Sequence, residues 1–299
     1  SEELEQGRPM LKPWGFAPVN AGSISASRLD ETYSWAEQPL YSTLPESGNM
    51  ALVEGCRYMR MADRSGQRII MMNNNGGNGF YVCRDCGAAV PALQKSRLKQ
   101  EVGRPYRSRF SEKCRHPEVI EVDLGYDFIT DMLVLECTLD SRKMDVQRST
   151  PWLERAALSL AEALRLQVCQ KLDIEFTELV SGYRIRGNGN DTCVDLYLYD
   201  SLSSGAGYAV GLVPYMAGIL WNTERFLSAC DCEDACHQCL KHYRNRHIHG
   251  RLDRFAALDL LRWSMQGRLA EPLSADRQEA LFKPFLPVLE QYKVTVSHK

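Results

Sequence analysis

The chain has 299 residues, 44% of them hydrophobic, with 36 basic against 38 acidic side chains and a formal net charge of -2. That is enough apolar material for a substantial core, which excludes general disorder, and too even a charge balance to advertise nucleic acid or a membrane surface in bulk. The 11 cysteines, odd in number and bunched in close pairs, fit metal ligation better than a secreted disulfide framework and point to a reducing, cytoplasmic compartment.

No signal-peptide pattern opens the chain, and the longest apolar stretch, Gly207 to Leu220, is too short to span a bilayer and holds Pro214. The start at Ser1 rather than methionine is that of a fragment or a processed chain.

Residues 1 to 50, rich in Pro, Gly, Ser and Glu with scattered Trp14, Phe16, Tyr33, Trp35 and Tyr41, read as an irregular docked lead-in. Arg68 to Met72 and Gly79 to Val82 read as short strands of a hairpin, because the intervening Asn73 to Gly79 run tolerates positive φ. Phe128 to Leu139 reads as a mostly buried strand. The clearest helix follows, with Thr150 as its cap, Pro151 at its first position, and Leu153, Ala157, Leu160, Leu164 and Val168 at helical spacing. Ile174 to Val180, Tyr183 to Arg186 and Thr192 to Tyr199 read as strands, the last two joined by the turn Gly187-Asn188-Gly189-Asn190. Beyond Gly205-Ala206-Gly207 the pattern is helical to about Phe226, with a kink or restart at Pro214. A last amphipathic helix should turn Leu252, Phe255, Leu258 and Trp263 inward.

These elements predict an α+β fold: a mixed, mostly antiparallel sheet packed on helices, with two zinc-clasped segments. The expected divisions are a lead-in docking segment (1–64), a zinc-knuckle subdomain with a basic insertion (65–126), an α+β core ending in a four-cysteine motif (127–270) and a tail (271–299).

Cys230, Cys232, Cys236 and Cys239 put four thiols within ten residues, close enough to cage a metal without long-range help. Zinc in a structural role is the leading reading, since four sulfur ligands leave no position for a catalytic water. An iron-sulfur cluster or ordinary thiols are the alternatives. The adjoining Lys241, Arg244, Arg246, His247, His249, Arg251 and Arg254 should project from the metal platform. From 241 to 268 there are seven Lys or Arg against two Asp, which fits phosphate contact or a solvated helix face.

Cys83 and Cys86, followed by Gly87, resemble a second knuckle that Cys114 and His116 can complete as a Cys3His site, with Cys56 as the reserve ligand; the alternatives are other ligands for the Cys83–Cys86 pair, or no metal there. Residues 84 to 115 hold nine Lys or Arg and three Asp or Glu, with Tyr106 and Phe110 interleaved. That composition suits strand binding through Arg104, Arg107 and Arg109, or else an exposed helix from Leu93 to Val102. Cys137, Cys169 and Cys193 read as core.

No phosphate-loop, acidic helicase box, Gly-x-Ser-x-Gly or His-Glu-x-x-His motif occurs, so ATP hydrolysis by this chain alone is not expected. The most enzyme-like element is Tyr199-Asp200 followed by Ser203-Ser204-Gly205-Ala206-Gly207, which either presents amides to a phosphate or packs a helix tightly on the sheet. Asp200 is then a helix cap.

Phe80 to Gly87, Thr130-Asp131, Leu198-Tyr199-Asp200 and above all the Cys230 to Arg254 block, with Tyr243, Asn245, His249 and Leu252-Asp253-Arg254, resemble the MrfA-homology zinc-binding domain. That domain is found C-terminal to superfamily 2 helicases and in the DrmB subunit of DISARM antiphage systems, and the resemblance spans about residues 65 to 265. It departs at Ser204-Gly205-Ala206-Gly207, where the family usually shows Gly-Gly-x-Gly. The resemblance implies zinc on Cys230, Cys232, Cys236 and Cys239. It also implies an accessory role beside an ATP-driven DNA motor, in antiphage defence or DNA repair, with DNA, including single strands, and a helicase as partners. Two other readings stay open: a nucleic-acid-processing enzyme working through Asp200 with Asp131 or Asp195, and a purely structural assembly subunit.

Overall fold

The computed structural model describes residues 8–13, 40–41, 50–75, 77–87, 89–92, 116, 118–143, 146, 150–268 and 286–292. The strands are β1 (Met10–Leu11), β2 (Leu40–Tyr41), β3 (Ala51–Leu52), β4 (Met59–Asn73), β5 (Phe80–Cys83), β6 (Ala89–Pro91), β7 (Val119–Leu139), β8 (Leu179–Asn188) and β9 (Asp191–Asp200). The helices are α1 (Pro151–Leu172), α2 (Tyr208–Gly211), α3 (Met216–Ser228), α4 (Arg254–Gln266) and α5 (Leu286–Gln291).

β7 is the spine. β4 runs antiparallel along one edge, while β5 and β9 take the two ends of the other edge, β9 extending into the β8–β9 hairpin. Among the described residues only β1 pairs in parallel. From Met132 onward β7 is buried on both faces, so it reads as an almost unbroken apolar run. Leu133, Leu135, Cys137 and Leu139 face the helical layer, and Met132 and Val134 face a second cluster with Tyr197 and Tyr199.

Helix α1 packs against β8, β9, α3 and α4 and is buried nearly all round, which its Ala156, Ala157, Ala161 and Ala163 permit by letting neighbours approach closely. Trp263 of α4 stacks on Tyr58 at 4.7 Å and donates Nε1–H to the Thr138 carbonyl at 2.9 Å, tying the last helix to β7. As expected, Pro214 interrupts the helical run, within a 3-10 turn between α2 and α3.

Several expectations are corrected. Arg68–Met72 and Gly79–Val82 do not pair with each other, because β7 lies between β4 and β5 and the Asn-rich run carries the chain from one edge of β7 to the other. The boundaries drawn at 64/65 and 126/127 fall inside β4 and β7, so those segments share one sheet. The strand expected from Ile174 begins only at Leu179, since Asp173, at φ 53, ends α1 and a turn fills the gap. Trp14, Phe16, Tyr33, Trp35 and the helix expected over 93 to 102 lie outside the described residues, as does most of the tail.

Candidate metal centre

Helix α3 delivers the chain to Cys230, and α4 takes it away three residues after the end of a 3-10 segment, Tyr243–Arg251, so the cage is a corner between two packed helices. Neighbouring Sγ atoms lie 3.5 Å apart for Cys230–Cys232 and Cys230–Cys236, 3.7 Å for Cys232–Cys239 and 3.8 Å for Cys236–Cys239. A tetrahedron of zinc–sulfur bonds about 2.3 Å long has edges of about 3.8 Å, whereas a disulfide would need about 2.05 Å. The spacing therefore fits one ion held by four sulfurs. A multi-iron cluster, which spreads its thiolates over separate irons, needs them farther apart.

The backbone prepares the thiolates. Gln238 N–H donates to Cys236 Sγ at 3.3 Å and Cys236 N–H to Cys239 Sγ at 3.2 Å. The Gln238 amide pulls the Cys236 thiol down to about 7, while burial pushes Cys232 up to about 12 and raises Cys239. A divalent ion would favour the thiolate at all four and release their protons on binding.

Arg254 braces the cage. It is 6% exposed, and its Nε donates to the Cys232 carbonyl at 2.8 Å and Nη1 to the Leu227 carbonyl at 3.2 Å. Its own N–H bonds Asp234 O at 2.8 Å. This corrects the expectation that Arg254 projects toward phosphate: Asp253 caps α4 through Phe255 and Ala256 N–H, and that start turns residue 254 inward. Phe255, expected inside, is only partly buried, with the Arg254 guanidinium 3.8 Å from its ring centre. Four thiolates around a dication carry a net negative charge, which a cation bonded to the Cys232 carbonyl helps to offset. Arg254→Ala is expected to cost about 3 kcal/mol, the scale of a buried charged donor removed from two carbonyls. Urea unfolding of the zinc-loaded chain checks this. The exposed Arg244→Ala should stay within about 0.5 kcal/mol, and equal effects would refute the bracing role.

The basic segment is clamped from behind. Glu162 of α1, 6% exposed, accepts from Ser181 Oγ at 2.8 Å and Asn245 Nδ2 at 3.1 Å and sits 3.4 Å from His242 Nε2. Burial pushes the Glu162 carboxyl up, but His242, Arg165, Ser181 and Asn245 together outweigh it and hold the carboxyl below its usual range. His249 Nε2 lies 2.9 Å from Asn245 Oδ1 and 3.0 Å from the His242 carbonyl, closing the network. On this backing Arg244, Arg246 and His247 are exposed, Lys241 is half-buried, and Tyr243 is 77% exposed beneath the Arg246 guanidinium at 5.0 Å. Arg251 is exposed but bonds Tyr183 Oη at 3.2 Å. Arg104, Arg107 and Arg109 lie outside the described residues. The sequence reading missed Glu162, whose partners are up to 83 residues away and leave no local signature.

The structure also brings Cys83, Cys86 and His116 together, with one ligand atom of each within 4.8 Å of the others; Cys114 lies outside the described residues. Cys56 is not among them. It packs in the main core, where burial pushes its thiol up to about 11. Cys137, Cys169 and Cys193 are buried as expected, with thiols raised by burial.

The Asp200 turn is internally saturated. Asp200 is fully buried; Oδ2 accepts from Ala206 N–H at 2.6 Å and Tyr208 N–H at 3.1 Å, and Oδ1 from Ala209 N–H at 2.8 Å. Thr130 Oγ1 donates to the carbonyls of Asp200 and Leu202, Asp131 Oδ1 accepts from Gly66 N–H at 3.1 Å, and Gly205, at φ 75, leaves no room for a Cβ beside the Asp131 carboxylate. Asp195 is held by Arg184 at 2.7 Å and Arg186 at 2.8 Å, and Arg186 also pairs with Glu136. The amides that a phosphate would need are already given to Asp200.

Residues 160–240 match the family model of the MrfA Zn-binding domain, a span that includes all four caging cysteines. The Druantia protein DruE of Escherichia coli (strain UMEA 4076-1) is 32% identical over 283 residues, covering 90% of this chain and 15% of that protein. The chain thus spans 15% of the length of this relative. Among solved structures, the DUF1998 helicase MrfA bound to DNA is similar at 14% identity and a TM-score of 0.43, over 76% of this chain and 25% of that one. The same helicase bound to DNA and AMPPNP gives 13% and 0.31, over 68% and 22%. Those two overlays are too loose to carry an argument. The four caging cysteines fall within the matched span, and the chain carries an MrfA-type zinc-binding domain there.

Proposed function

We propose that the chain is a zinc-stabilised nucleic-acid-binding and partner-binding accessory module of an ATP-dependent superfamily 2 DNA helicase, and that it carries two structural zinc ions. The observation that carries this reading is the basic edge formed by exposed Arg244 and Arg246 with half-buried Lys241, set between the four-cysteine cage and the Glu162 network. Phosphates take the charge, and Tyr243 offers a face on which an unpaired base stacks, so single-stranded DNA is the expected ligand. The MrfA-type domain supports a helicase as partner, and the likeness to the Druantia protein favours antiphage defence over DNA repair. The module works without catalysis of its own, since Asp200 is committed to backbone amides. No helix among the described residues is long and apolar enough to cross a membrane; a cytoplasmic site of action is proposed from the bunched, odd-numbered cysteines, which suit a reducing compartment.

The test is DNA affinity as a function of salt. Each phosphate contact contributes roughly 0.7 to 0.9 to the log–log slope, so changing Lys241, Arg244 and Arg246 to alanine together should lower the slope by about two and the affinity by at least about tenfold. Tyr243→Ala should weaken single-strand binding at an unchanged slope. A chain that binds no DNA at any salt, yet still binds a helicase partner, is the structural assembly subunit instead.

A further inference from the structure

Helix α1 is buried from Ala156 to Leu164 and then turns polar, with Gln167, Gln170 and Lys171 at i, i+3 and i+4 on one face. Asn222, Arg225 and Phe226 of α3 repeat that spacing, and the two stripes line a groove of about 430 Å3. That lies inside the range of about 300–1,000 Å3 that ligand clefts span. Phe226, half-buried against the main core, supplies the apolar floor. Among the described residues neither Lys171 nor Arg225 takes part in an ion pair, and the neighbouring Glu224 is given to Arg262 at 2.8 Å. Lys171 lies instead over the Tyr215 ring, with Nζ 5.4 Å from its centre. Tyr215 and Trp221 are 51% and 46% exposed, and Trp221 precedes Arg225 by one helical turn, so indole and guanidinium share a side of α3. Trp, Tyr and Arg are the residue types that carry most of the binding energy at protein interfaces.

We infer that the groove between α1 and α3 is the surface through which the module holds its protein partner, and that its occupant is an extended acidic segment bearing an apolar or aromatic side chain. This rests on the partner-binding half of the proposed function and gives that half a place. Carboxylates of the segment pair with Lys171 and Arg225, which have no anion of their own. The carboxamides of Gln167, Gln170 and Asn222, each both donor and acceptor, match the alternating N–H and C=O groups of an extended main chain. An apolar side chain between the charges meets Phe226 and Trp221. A nucleic acid fits less well, because two cations neutralise too few phosphates to hold a strand. Asp173 and Glu175, exposed at and just past the end of α1, also repel a continuous row of phosphates. None of the groove residues belongs to the basic edge of Lys241, Arg244 and Arg246, so the two ligands are separable by substitution.

The experiment selects binders from a display library of random dodecapeptides on the full chain, then titrates the enriched peptides and an oligothymidylate against three forms of it. These are the unaltered protein, Lys171→Gln with Arg225→Gln, and Trp221→Ala. All three altered side chains are exposed, so the urea midpoint should stay close to that of the unaltered chain. The enriched peptides are expected to be acidic with an apolar residue between the charges, and each variant should weaken them by about tenfold or more. Oligothymidylate affinity, measured at about 0.15 M salt to screen distant charge, should not change. No enrichment, peptides without acidic residues, or binding indifferent to both variants overturns the groove as the partner surface. Loss of oligothymidylate binding in the glutamine variant overturns it too and makes the groove a nucleic-acid track, and self-association of the chain abolished by Trp221→Ala makes its occupant a second copy. A chain that binds no DNA while its acidic peptides still depend on Lys171, Arg225 and Trp221 fails the DNA half of the proposed function and upholds the groove.

Discussion

Replacing Cys236 and Cys239 with serine is expected to leave the chain without its helical layer, seen as loss of soluble folded yield and of the cooperative unfolding transition. The reason is one of scale. Structural zinc contributes an apparent binding free energy of about 10–16 kcal/mol in small zinc peptides, and a domain is stable by only about 5–15 kcal/mol in total. The cage also lies within the core rather than at its fringe. Cys239 and Leu240 are buried in the main apolar cluster, Lys241 N–H bonds Cys236 O at 2.9 Å, and Arg254 fastens α4 to the Cys232 carbonyl. Without the ion, negative thiolates or solvated thiols meet where the helices converge, and the bonds that orient α4 have no rigid base. A strong chelator added to the native protein should have the same effect more slowly, with zinc release and loss of helix signal advancing together. A chain that keeps a sharp thermal transition after complete zinc removal would show that packing alone holds the corner and that the four cysteines serve another purpose.

How far this could be read from the sequence depended on whether the deciding partner was local. The four cysteines fall within ten residues, and the chain can hardly place them anywhere but together, so their spacing was sufficient. Helix α1 was legible because Pro151 marks its start and its apolar positions recur at helical spacing. β7 was seen only from Phe128 onward, because Asp123, Tyr126 and Asp127 break its apolar pattern; Asp127 is instead held at the surface by Lys12 and Arg68, from two other strands or their flanks. The Asn-Gly run after β4 carried a true turn signal, but turn chemistry says nothing of which strand lies next to it, and β7 took both neighbours. Arg254 and Glu162 were misplaced or missed because charged residues are ordinarily surface residues. Their burial is sustained by bonds to the Cys232 and Leu227 carbonyls in one case and to β8 and the 242–249 segment in the other.

Asp200 provides the other large expected effect, and with it the clearest separation of architecture from catalysis. Asp200→Asn is expected to destabilise the chain by about 3–4 kcal/mol, read as a lower urea midpoint with unchanged steepness of the transition. The carboxylate accepts three backbone N–H groups at 2.6 to 3.1 Å in a fully buried pocket, and these join the end of β9 to the first turn of α2. An asparagine of the same shape keeps one oxygen but turns an NH2 group toward donors, leaving at least one amide buried without an acceptor. Nearby substitutions that ought to loosen the same knot follow from the same geometry: Thr130 bonds the carbonyls of Asp200 and Leu202, so the β7 register, the turn and α2 are one unit. A catalytic aspartate behaves in the opposite way, because a residue kept for reactivity is commonly neutral or costly for stability. If Asp200→Asn left the urea midpoint unmoved while abolishing cleavage of a nucleic acid, the saturated-turn account would be wrong and this chain would be an enzyme. The three short amide bonds argue for the first outcome: a fully buried carboxylate that gives three of its roughly four acceptor sites to backbone amides is built to hold the turn.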